Sequence, residues 1–127
     1  MDRDLYMLDL SLKRIVGLSN ELFVLLEGAE DPELPPWADY RLSTALLWMR
    51  TAYQTLFEPV RENGATTRRE MQLSFIRQIS WMAARLLDAM YQQGFVPPYW
   101  AWHKIYWTLD ALVTIVPSQT IRLEHRP

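Results

Sequence analysis

The sequence contains no cysteine, which excludes disulfides and thiolate metal sites. Glycine is scarce: Gly17, Gly28, Gly64 and Gly94 are the only four in 127 residues, too dispersed for a glycine-rich phosphate loop. There are two histidines, His103 and His125, and neither a Glu-x-x-His nor a His-Glu-x-x-His pattern, so the di-iron bundle and zincin signatures are missing. Serine, aspartate and histidine stand in no nucleophile motif. No apolar run of about 18 residues exists. The nearest stretch, 99–116, carries His103, Lys104 and Asp110, and Lys or Asp near a membrane centre each costs roughly 2.5–3.5 kcal/mol. The first residues, Met-Asp-Arg-Asp, lack the positive start of a signal peptide. The expectation is a cytoplasmic protein that is not an enzyme, needs no metal or cofactor, and has no membrane partner.

What is present suits one helical domain. Half of the residues are hydrophobic, enough for a core in a chain of this length. The net charge of −2 hides an asymmetry. Residues 1–40 hold nine acids against Arg3, Lys13 and Arg14, whereas 41–127 hold ten bases against six acids. Eleven of the thirteen bases are Arg, the better fork for carboxylate and phosphate.

Apolar periodicity predicts four helices, at about 4–27, 37–62, 67–93 and 99–116. In the first, Leu5, Leu8, Leu12, Ile15, Ser19, Leu22 and Leu26 alternate steps of three and four, a bundle seam broken once by Ser19. Asp2 or Asp4 can cap its start, and Gly28 stands where a left-handed end residue belongs. An acidic loop with Pro32, Pro35 and Pro36 follows. In the second helix the seam is Leu42, Leu46, Met49, Tyr53, Leu56 and Val60, with Pro59 expected to kink or end it. Thr67-Arg68-Arg69-Glu70 reads as a capping box opening the third, whose face is Met71, Phe75, Ile79, Met82, Leu86 and Met90, widened by Ile76, Ala83 and Leu87, and which Gly94 stops. The fourth shows a stripe of Trp102, Ile105, Tyr106, Leu109, Leu112, Val113 and Val116, ended by Pro117 and followed by an irregular tail, 117–127. The fold class expected is an all-α, three- to four-helix antiparallel bundle.

One residue does not fit a core role. At about 100° per residue, Trp81 lies opposite the apolar face of the third helix, with Arg77 and Arg85 one turn to either side. Tryptophan and arginine are the types most enriched at binding hot spots. A Trp lying flat under neighbouring arginines, or covered by another helix, would have the same sequence. Arg50 and Arg61 on the second helix, and Arg68 and Arg69 after the 63–67 turn, extend a basic set around it.

The leading expectation is therefore a non-catalytic interaction or assembly protein, such as an inhibitor or accessory subunit. It would grip a protein partner through Arg77, Trp81 and Arg85, flanked by Arg50, Arg61, Arg68 and Arg69. The alternative is a small subunit of a nucleoprotein complex, with the arginines on RNA or single-stranded DNA backbone and Trp81 as a stacking platform. The acidic loop offers an oppositely charged surface for head-to-tail stacking of copies. The fourth helix is aromatic nearly all round, so Trp100, Trp107 and Ile115 are candidates for self-association. The pair His103 and Asp110, seven apart, is the one polar combination that would suit a titrating site, although it comes without a nucleophile.

Overall fold

In the computed structural model, residues 3–28, 33–54, 64–65 and 67–124 are described, with side chains to Pro117. They form four helices: α1 (Arg3–Glu27), α2 (Pro36–Gln54), α3 (Arg68–Gln93) and α4 (Tyr99–Glu124). The expectations at Leu56, Pro59, Val60 and Arg61 lie outside the described residues, as does Asp2.

Local rules account for most helix ends. Pro36 opens α2, where its missing N–H loses nothing. Thr67 caps α3 by accepting the Glu70 N–H at 3.1 Å, and Gly94 takes the left-handed conformation, φ 65°, that terminates it. Two expectations are corrected. Gly28 is not left-handed, since Gly94 is the one glycine with positive φ among the described residues. Instead Gly28 donates its N–H to Val24 C=O at 3.1 Å and so prolongs the last helical turn. The fourth helix does not stop at Pro117 but contains it and continues to Glu124. A proline forfeits its own backbone bond and crowds the preceding turn, yet Ile115 and Val116 immediately before it are buried, so packing holds the helix through that turn.

Consecutive helices are not all neighbours. α1 packs on α3 and α4, and α2 packs on the same two, so α1 and α2 face each other diagonally, as do α3 and α4. Directions follow from the contacts. Arg69 reaches Glu27, Ser80 reaches Asn20 and Tyr91 reaches Asp9, so α3 runs antiparallel to α1. Thr108 meets Ala45 and Trp107 meets Trp48, while Asp110 and Ala111 lie beside Tyr40 and Arg41, so α4 is antiparallel to α2. Gln72 meets Asp39 and Gln78 meets Arg50, which makes α2 and α3 parallel. The α2–α3 connection therefore joins opposite ends of the bundle.

The core is a single apolar cluster drawn from all four helices. In α1 the seam is buried as expected from Leu8 to Leu26, Ser19 included. In α4 the expected stripe packs on the core except at Val113, and the buried face extends beyond it on one side. Ala101, Ile105, Thr108, Ala111, Leu112 and Ile115 are buried, Trp102 and Tyr106 are half-buried, and Val113 is exposed. A helix wedged between α1 and α2 needs small side chains where the backbones come close, and Ala101, Thr108 and Ala111 supply them.

Polar groups inside the core differ in how they are satisfied. Gln72, 1 % exposed, accepts the Leu34 N–H at 3.0 Å and donates to Asp39 at 2.8 Å. Ser19 is fully buried and its hydroxyl has no partner among the described residues. Replacing a satisfied group leaves others unpaired, whereas replacing an orphan removes a penalty, each worth about 1–3 kcal/mol. Gln72→Leu should thus lower the unfolding free energy by about 2 kcal/mol, and Ser19→Ala should raise it by about 1 kcal/mol, read from urea unfolding followed by circular dichroism. A loss in Ser19→Ala would show that the hydroxyl is bonded in solution.

Candidate functional site

The expected Trp/Arg face forms in part. Arg77, Trp81 and Arg85 stand exposed along α3. Arg77 and Trp81 line an open groove of about 630 Å³ between α3 and α1, with Asn20 and Phe23 on its far wall, and Arg85 lies outside that lining. The Arg77 guanidinium lies 4.6 Å from the centre of the Phe23 ring, and that of Arg85 is 5.9 Å from Trp81. On its other side Trp81 leans on Tyr53 of α2, ring centres 5.5 Å apart and tilted by 49°. The indole is thereby held in place while half of it (50 %) stays open to solvent. It is neither core nor free, but a positioned apolar surface between two cations.

Arg50, Arg68 and Arg69 do not join this face. Arg50 is half-buried and donates to Gln78 at 2.6 Å, which braces α2 against α3 beneath Trp81. Arg68 lies at the opening end of α3 with Glu33 at 3.7 Å and Asp39 at 3.6 Å, and donates to Leu34 C=O at 3.4 Å. Arg69 donates to Glu27 C=O at 3.3 Å. These two tie α3 to the α1–α2 connection, so the basic set is spread over two levels of the bundle. Arg61 lies outside the described residues.

On α4, Trp100 and Trp107 are both partly exposed, at 43 % and 45 %, as a self-association surface requires. Ile115 is corrected: it is fully buried in the core of its own chain, because α4 presents that side to its neighbours rather than to solvent. His103 and Asp110 share no hydrogen bond. The imidazole packs instead among rings, edge-on to Tyr99 at 5.2 Å and tilted on Trp107 at 6.2 Å.

The second concave surface was not legible from periodicity. Between α2 and α4 an aromatic cleft of about 670 Å³ opens, walled by Trp37, Trp48 and Trp107, with Tyr40, Arg41 and Asp110 around it. Trp48 and Trp107 meet at 5.4 Å, and the Lys104 ammonium rests 4.8 Å from the centre of the Trp107 ring. Among the described residues no group of three or more His, Asp or Glu gathers to hold a metal ion, and no helix is long and apolar enough to cross a membrane.

Comparison of the chain with protein-family models, with curated proteins and with solved structures finds no match.

One buried carboxylate is electrostatically tuned. Asp9 of α1 is 6 % exposed. Burial disfavours its charge, but a hydrogen bond from the Tyr91 hydroxyl and the Lys13 ammonium at 3.0 Å outweigh that and hold its pKa below the ordinary value of 3.8. A carboxyl depressed in the folded state adds stability that is complete above the unfolded value and vanishes as pH falls through the folded one. The stability advantage of the native chain over Asp9→Asn should therefore be constant above about pH 5 and shrink once pH drops below 3.8, as measured by urea midpoints across pH 2–7. An advantage unchanged down to pH 2 would mean that Asp9 is not the titrating group.

Proposed function

We propose that this chain is a non-catalytic helical interaction protein, an accessory or inhibitory subunit. In this reading it docks a segment of a protein partner into the α1/α3 groove. The observation that supports this most is Trp81, fixed by Tyr53 yet half exposed, with Arg77 and Arg85 on either side. A preset aromatic surface loses little side-chain entropy on binding, and tryptophan with arginine is the composition of binding hot spots. The flanking cations favour a partner segment that carries an apolar anchor among acidic residues.

The nucleic-acid alternative draws less support. Arg68 and Arg69 are held at the end of α3, away from Trp81, so Arg77 and Arg85 are the described cations beside the Trp81 platform. Two phosphate contacts on a single strand give a log–log salt slope of only about −1.4.

Peptides selected from a random displayed library on the native protein, and counter-selected on Trp81→Ala, should share an apolar anchor flanked by Asp or Glu. They should bind Trp81→Ala at least about tenfold more weakly, the loss expected at a hot spot. The variant should stay folded, losing at most about 1.5 kcal/mol for the Tyr53 contact. No anchored acidic consensus, together with strong binding of a labelled single-stranded oligonucleotide and a salt slope far steeper than −1.4, would replace this reading with the nucleoprotein one.

A further inference from the structure

We infer that the α2/α4 cleft is a self-complementary interface and that a second copy of this chain occupies it across a two-fold axis. Trp37, Tyr40 and Trp107 are 44 %, 73 % and 45 % exposed around one concavity. Aromatic surface gathered in this way is uncommon on a monomer.

The charges indicate which partner covers it. Arg41 and Asp110 are the two charged residues lining the cleft, one on each facing helix. Neither side chain has an ion pair or hydrogen bond among the described residues. In a two-fold interface residue i meets residue j while j meets i, so each Arg41 would face the other copy's Asp110, and both orphan charges would be neutralised in one step. A patch of one sign would repel its own copy.

Tyr40 is the most exposed aromatic of the set and has no ring partner among the described residues. It is the projecting side chain that enters the other copy's cleft, so each site is completed by a residue of the second chain. Lys104 already rests on Trp107 in its own chain, which leaves Arg41 as the cation for Asp110. Because the α2/α4 side is opposite the α1/α3 side, this dimer keeps both Trp81 grooves clear and pointing apart.

Sedimentation equilibrium of the full chain tests the inference without any other ligand. The native protein should dimerise in the micromolar range. Arg41→Asp and Asp110→Arg should each weaken self-association at least about tenfold, since close charge pairs at interfaces couple strongly. An equimolar mixture of the two variants should recover native affinity, because each then supplies the charge the other lacks. Both positions are exposed, and unchanged helical circular dichroism would confirm that the variants fold. A native monomer at 100 µM, a dimer indifferent to both reversals, or a mixture that stays monomeric would each overturn the inference. Failure here leaves the α1/α3 groove untouched, since peptide binding to Trp81 is read separately.

Discussion

The buried amide of Gln72 imposes a constraint that apolar contacts do not, because it requires particular partners. It holds the Leu34 N–H on one side and the Asp39 carboxylate on the other, so the first turns of α3 and α2 must lie side by side. A buried polar group tolerates few alternative partners, because each unmet bond costs about 1–3 kcal/mol. That requirement selects one relative height for two parallel helices out of many that would bury the same leucines. From this height the rest follows down the pair. Arg50 reaches Gln78, and three residues further on Tyr53 reaches Trp81. The exposed indole is thus positioned by an interaction two turns and more away from it.

This explains which parts of the fold could be read from residues alone. The α1 seam was legible because one helix face packs on two neighbours with simple leucine spacing, and even the polar Ser19 was counted in it correctly. The α4 stripe was legible only in part: Ile105, Leu112 and Val116 are buried and Trp102, Tyr106 and Leu109 pack against the core, but Val113 is exposed. Its most apolar residues are aromatic, yet the closest backbone approaches call for small side chains, so Ala101, Thr108 and Ala111 hold the centre while Trp107 lies at the edge. Gln72, Ser74 and Gln78 mislead for the opposite reason: by sequence they belong to a wet face, yet they are buried. Polar satisfaction depends on partners that are 33 and 38 residues away in sequence, which no periodicity reports.

The candidate sites divide along the same line. Trp81 with Arg77 and Arg85 was legible because all three belong to one helix, where spacing alone gives the face. The aromatic cleft needed the pairing of α2 with α4, because its Trp37, Tyr40, Arg41 and Trp48 meet Trp107 and Asp110 only once the two helices are side by side. The basic set was read too generously for a related reason. Proximity along the chain grouped Arg68 and Arg69 with Arg77, while the structure gives them to the α1–α2 connection.

Charge asymmetry between the two parts of the chain has a corresponding internal use. Glu33 and Asp39 from the acidic front meet Arg68 from the basic remainder. These pairs are part-exposed, so each adds no more than about 1 kcal/mol. Their effect is selective instead: they draw Arg68 to the end where α1, α2 and α3 converge, while Arg77 and Arg85 stay beside Trp81. Arg41 and Asp110 stand apart from both groups, on the far side of the bundle, where neither has an ion pair among the described residues. A cation and an anion that line one aromatic cleft without pairing there make that surface complementary to a copy of itself, since a two-fold axis brings each beside the other's counterpart.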